Sequence, residues 1–344
     1  MIRPFLIVNV IALASTPLVS PPLRAQHTAS LTISTDTAKR ELVLTLGPLH
    51  LPARATHHDV AQVPLQSVPM PFTGWLHGFR VEMVTADGQP VAPDVIHHIN
   101  LIDLDRRALL APIVNRVLAI GRETKPSSLP RAFGYPVKQG ERLGIFTGFH
   151  NPTDTDYDAA YMRLVLTYTP ASASPAPRTV YSLWFDAQLE PGMQTDFDLP
   201  AGESSKFQEF TTPIAGSVLG LGGHLHDYGA RLTLEDRTAG TMLYDVTPVA
   251  DSNGHVLEVP AKLYLQQPLR LEPGHVYRIT AHYNNTTGQT IPQGGMGTIG
   301  GVFVPDAGQE WPALDRNDPE YVADLRGLEA GHGAGMHHGE HQHH

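Results

Sequence analysis

The chain has 344 residues, room for two domains of ordinary size, and carries 30 Pro, 31 Gly and no Cys. The lack of Cys excludes a disulfide framework, Cys-ligated zinc, blue-copper sites and a thiolate nucleophile, so any metal must be held by His, Met, carboxylate or water. A formal net charge of −10 offers nothing to nucleic acid or to an anionic membrane surface.

The N-terminus reads as a targeting signal. Met1-Ile2-Arg3 carries a positive charge, Phe5 to Ala14 form an apolar run, and Leu23-Arg24-Ala25 ends on a small residue. Residues 1–25 are therefore expected to be a cleaved signal peptide that exports the chain to the periplasm or the extracellular space. No later stretch approaches the ~20 apolar residues of a spanning helix, so stable membrane insertion is not expected.

After the signal, LTIST and ELVLTL alternate as two short strands within residues 30–47. Trp75 to Val84 alternates next, with Trp75, His77, Phe79, Val81 and Met83 expected on one side, and Asp87-Gly88 supplies a hairpin turn. Further strands are expected at Val95–Leu104, Leu143–His150 and Tyr161–Tyr168. Ala108–Ile120 is ambiguous, because its apolar spacing suggests a helix that Pro112 would interrupt. TPASASPAPRT, residues 169–179, reads as a Pro/Ala/Ser linker. Strands resume at Val180–Phe185, Val218–Leu221, Ala230–Leu234, Met242–Val246, Val276–Tyr283 and Gly301–Val304. Regular short strands punctuated by turns predict an all-β chain of sandwiches or jelly rolls, one spanning 30–168 and one 180–306. Residues 307–344 read as a polar, His-rich, disordered tail ending GHGAGMHHGEHQHH, which could catch soft or borderline metals loosely.

Two sets of donors stand out. His97-His98 is followed by His150, and His224-x-His226 is followed by Met296. Residues i and i+2 of a strand face one side, so His224 and His226 can reach one ion. Gly222, Gly223 and Gly229 around them would allow bending or close approach, and Met296 sits among glycines that offer it little packing. His97 and His98 are adjacent, so both can serve one ion only where the strand bulges or ends, with His150 arriving from another strand. Imidazole alone suits several metals, whereas two imidazoles with a thioether favour copper, above all Cu(I). The bland alternative for each set is a structural His pair with an unrelated third residue. His57-His58 reads as a solvated loop, and His77 and His282 as hydrogen-bonded core or supporting residues.

The order HH, lone His, HxH, Met resembles the copper type II, ascorbate-dependent monooxygenases, the family of peptidylglycine α-hydroxylating monooxygenase and dopamine β-hydroxylase, over roughly residues 70–305. The resemblance implies two jelly-roll-like β-sandwich domains with one copper in each, facing a solvent-filled cleft. His97, His98 and His150 would hold an electron-transfer copper, and His224, His226 and Met296 an oxygen-activating one. It further implies O2 and a small organic substrate, with ascorbate or another reductant as electron donor. The chain departs from the peptide-amidating pattern where Gly222 replaces a substrate-gripping arginine and where Thr298 and Gly300 follow the Met. Peptide amidation is therefore disfavoured. The expectation is a dicopper hydroxylase of unknown substrate, the alternative an exported copper-handling protein without hydroxylase activity. A third reading is a carbohydrate- or protein-binding sandwich with structural histidines.

Overall fold

Strand follows strand from Ser30 to Pro305, broken by one 3-10 turn at Pro93–Val95, and a single α-helix, Pro319–Glu329, closes the described chain. The computed structural model describes residues 29–56, 59–60, 63–121, 124–192 and 195–330. The expected signal peptide, His57-His58 and the His-rich stretch 331–344 lie outside the described residues. The expectation of an all-β fold holds, and among the described residues no helix is long and apolar enough to cross a membrane.

In the first half, a seven-stranded sheet runs in the order Ser30–Asp36, Glu41–Leu51, Tyr157–Pro170, Gly74–Thr85, Phe133–Val137, Arg178–Thr179, with Ser127–Ser128 beside Gly74–Thr85. A four-stranded sheet has the order Val63–Pro69, Arg142–Phe149, Ile96–Arg107, Val114–Gly121. The two close over one core, to which Leu42, Leu44, Leu164 and Leu166 come from the larger sheet and Ile99, Leu101, Leu143 and Ile145 from the smaller. Period-two alternation explains this placement, because every second side chain of each strand faces inward.

The smaller sheet is buried on its other face as well. Ile102, Leu104 and Phe146 point away from that core and pack with Tyr321 and Leu328 of the helix. Asp318 caps the helix by accepting from the Glu320 amide at 2.9 Å, and Pro319 opens its first turn. Asp324 then accepts from the Val114 amide at 3.0 Å and from Arg116 at 2.9 Å. Residues 307–330 thus depart from the expected disordered tail. Their few apolar side chains fall on one helix face and cover a sheet that would otherwise expose Ile102 and Phe146.

Three other expectations are adjusted. Ala108–Ile120 contains no helix: a bend at Pro112 leads into the strand Val114–Gly121. The 169–179 segment is held against the first half, with the Ala171 amide on Thr73 O at 3.0 Å and Arg178–Thr179 pairing in parallel with Phe133–Gly134. The alternation of Trp75 to Val84 is broken by a register shift opposite Thr167 and Tyr168, which buries Leu76 as well as Met83.

The second half contains a five-stranded sheet ordered Tyr181–Asp186, Gly297–Pro305, Gly216–Leu225, Lys262–Leu263, with Leu269–Leu271 also on Gly216–Leu225. A four-stranded sheet is ordered Gly202–Phe210, Tyr277–Asn285, Gly229–Asp236, Thr241–Val246. Leu183, Phe185, Leu221, Ile299 and Phe303 from the first meet Leu232, Leu234, Ile279 and Ala281 from the second. The halves touch through Trp184, whose indole N–H donates to Arg116 O at 2.5 Å, and through Tyr181, stacked on Trp311 at 4.1 Å and covered by Arg106 at 5.1 Å.

Candidate functional site

The six expected donor residues fall at two places. In the first half the Ile96–Arg107 strand pairs Ile96 with Phe149 and His98 with Gly148, a register shift that places a bulge at His97. Gly148 leaves room for the His98 ring, since a Cβ there would meet His98 Cε1 at 2.5 Å. His150 follows the neighbouring strand, its amide on Val95 O at 3.0 Å. The rings gather accordingly, His97 to His98 at 5.3 Å and His97 to His150 at 5.7 Å between centres. Even so, among the described residues no group of three or more His, Asp or Glu is disposed to hold a metal ion.

In the second half the donors lie along a sheet face. His224 stands opposite Thr298, and Leu225 opposite Gly297. One step further, the His226 amide donates to Met296 O at 3.4 Å, which puts Met296 directly across from His226. His224 faces away from the core that Leu225 enters, and His226 and Met296 lie just past the last paired residues, Leu225 and Gly297, with Met296 buried. The two imidazoles are 5.4 Å apart and perpendicular. Two imidazoles bound to one ion at about 2.0–2.1 Å hold their ring centres roughly 5–5.5 Å apart at tetrahedral to trigonal angles. The observed spacing fits.

Tyr283 fixes this pair. Its hydroxyl accepts from the Met296 amide at 2.9 Å and from the His226 amide at 3.3 Å, and it donates to Met296 O in a short contact. Burial pushes the phenol well above its ordinary range, against the two amide hydrogen bonds. Beyond Thr298, the row continues to Asp186, which accepts from the Thr298 hydroxyl at 2.6 Å. Burial pushes the Asp186 carboxyl up, and the Thr298 hydrogen bond and the Arg116 charge oppose that rise.

The next row is Trp184, Gly300 and Gly222. The indole covers Gly300, where a Cβ would meet Trp184 Cζ3 at 2.7 Å, whereas at Gly222 the nearest atom is Ala261 Cβ at 3.8 Å. Of the three positions that depart from the amidating pattern, Gly222 and Gly300 lie on this row without side chains, and Thr298 lies on the row beside it.

Sequence reasoning missed Asp186, Trp184 and Tyr283. The acid closing YSLWFD was visible, but its place one strand away from the HxH strand depends on a strand order that spacing does not encode. His77 is a hydrogen-bonded residue, Nδ1 to Phe133 O at 2.5 Å and Nε2 to Thr169 Oγ1 at 2.8 Å. His282 stands in the Tyr277–Asn285 strand, and burial pushes its imidazole down.

No protein-family model matches the sequence, and no curated protein matches it. Among solved structures, a peptide-N(4)-(N-acetyl-β-D-glucosaminyl) asparagine amidase is similar at 9% identity, covering 79% of this chain and 98% of its own, with a TM-score of 0.38. PNGase F, a glycosylasparaginase from Flavobacterium meningosepticum, is similar at 10% identity, covering 76% and 95%, with a TM-score of 0.36. PNGF-II is similar at 9% identity, covering 77% and 66%, with a TM-score of 0.34.

These comparisons correct the functional expectation. None of the structures named above is a copper monooxygenase, and the dicopper hydroxylase is withdrawn, together with its copper-handling alternative. At such low similarity the glycanase activity does not carry over to this chain either.

Proposed function

We propose that His224, His226 and Met296 form a site for one soft or borderline metal ion, with no copper-handling role attached to it. The observation that carries this reading is the backbone hydrogen bond that holds His226 beside Met296, together with the His224 and His226 rings 5.4 Å apart. Two imidazoles and a thioether suit Cu(I) best among the common ions, and a site open to zinc would lack the thioether's preference. The ring spacing of 5.4 Å supports a common ion without rearrangement of the strand. We further propose that the supporting architecture is two consecutive jelly-roll-like β-sandwich domains, residues 30–168 and 180–306. No reaction is assigned to the ion. The His97, His98 and His150 cluster is outside the proposal, since no three-donor group of that kind is set around an ion among the described residues.

The test is a competition titration of the full chain with Cu(I) and, separately, Zn(II), beside the double variant His224→Ala/His226→Ala. Ions caught by the His-rich C-terminal stretch are common to both proteins. The expected result is one additional tight equivalent of Cu(I) in the unmodified chain. Identical stoichiometry and affinity in the two proteins would overturn the reading.

A further inference from the structure

A cavity of about 380 Å³ lies where both halves meet the first turn of the helix Pro319–Glu329. That volume falls within the range of about 300–1,000 Å³ typical of small-molecule sites, which favour seams between domains. Leu110 and Ala111 of the first half and Leu189, Phe210 and Val276 of the second give it apolar walls. Gln208 braces one wall, accepting from the Leu189 amide at 2.6 Å and donating to Leu189 O at 3.2 Å.

The polar part of the lining is anionic. Glu209 and Glu320 border the cavity itself. Arg278 donates twice to Glu209 Oε1, at 2.9 and 2.6 Å, and Oε2 accepts no hydrogen bond among the described residues. The Glu320 side chain makes no hydrogen bond or ion pair among the described residues, although Arg107 lies near enough to feel its charge. Arg107 itself donates to Ala108 O at 3.0 Å. A narrower void of about 10 Å³, room for one water, shares Leu110, Ala111 and Leu189 with the cavity and is bordered by Asp186 and Arg116. Asp186 is 8% exposed; its Oδ1 takes the Thr298 hydroxyl, and its Oδ2 accepts no hydrogen bond among the described residues. Arg116 is held by Asp324 at 2.9 Å. Acceptor oxygens therefore border both spaces, while each guanidinium beside them already has an oxygen of its own.

We propose that this cavity binds a small organic cation, a primary ammonium on a hydrocarbon body, with the body against Leu189 and Phe210 and the charge toward the carboxylates. A neutral molecule of the same shape gains the walls alone, and an anion meets like charge at Glu209 and Glu320. None of His224, His226 and Met296 borders either space, so the inference goes beyond the ion site and does not depend on it.

Calorimetric titration of the full chain with benzylammonium tests this, beside benzyl alcohol as the neutral counterpart and Ala111→Leu as a variant that fills the cavity. The expected result is one saturable benzylammonium site, which benzyl alcohol occupies about 3- to 5-fold more weakly. Glu320→Gln is expected to weaken benzylammonium by about the same factor and to leave benzyl alcohol unchanged. Ala111→Leu is expected to abolish binding of both, with a cooperative thermal melt showing that it is folded. Should it not fold, Thr211→Leu narrows the same space from the other half. No benzylammonium binding at millimolar concentration, or binding that survives a filled cavity, would overturn the inference. So would equal affinity for the ammonium and the alcohol, or a Glu320→Gln variant that binds both as the unmodified protein does.

Discussion

His226 and Met296, 70 positions apart in the chain, face each other across two antiparallel strands, joined by an amide-to-carbonyl hydrogen bond of 3.4 Å. Tyr283, from the opposite sheet, reaches the amides of both. The arrangement is backbone-locked, so the geometry of the donor set depends on a phenol whose hydroxyl holds the backbones of two of its residues.

Tyr283→Phe is expected to test that dependence. Removing the hydroxyl leaves the buried Met296 amide without its acceptor, at a cost of about 1–3 kcal/mol. Urea unfolding should show this loss, and Cu(I) affinity should fall with it. An unchanged unfolding midpoint would mean that the hydroxyl does not hold the Met296 turn.

Two glycines on one row should respond oppositely. Gly300→Ala drives a Cβ to 2.7 Å from the Trp184 ring and is expected to cost about 1–3 kcal/mol. Gly222→Ala meets nothing nearer than 3.8 Å and should be neutral or slightly stabilising. Paired thermal melts decide the matter, and equal effects would contradict the described indole position.

Asp196 gives a pH signature. It is 7% exposed, its Oδ1 has no hydrogen-bond partner among the described residues, and burial pushes its carboxyl up to about 6 from 3.8. Because the folded value is the higher one, no penalty exists where both states are protonated. As pH rises from about 4 through 6, the unfolded chain ionises first and the folded state loses stability, reaching a plateau above that window. Asp196→Asn is therefore expected to gain about 1–3 kcal/mol at pH 8 and little near pH 4, measured as urea midpoints. A gain that is equal at both pH values would contradict the sign.

The C-terminal helix should depend on one acid. Asp324→Ala leaves Arg116 with its guanidinium beside a vacated carboxylate and frees the Val114 amide. A loss of about 3–5 kcal/mol is expected. Hydrogen exchange should accelerate across Pro319–Glu329, and unaltered protection there would show that the packing of Tyr321 and Leu328 suffices.

Much of the fold was legible because alternation marks strands with one buried face. ELVLTL and YRITAHY read correctly for that reason. What escaped had other patterns. The Ile96–Arg107 strand is buried on both faces, so its partner, the Pro319–Glu329 helix, could not be inferred from either segment alone. Val114–Gly121 was obscured by the apolar spacing before Pro112. The donor residues were visible as an ordered set, and the bulge at His97 was required by their adjacency. The chemistry inferred from that order did not survive comparison with known structures. Asp186 was missed because its role depends on strand order, which sequence spacing does not encode.

X-ray absorption at the copper edge, on Cu(I)-loaded full chain carrying Met336→Leu to remove the C-terminal thioether, tests the central claim most directly. The account predicts two imidazole scatterers and one sulfur at about 2.3 Å, with the sulfur lost in the further variant Met296→Leu. A spectrum without sulfur, or one that Met296→Leu leaves unchanged, would contradict it.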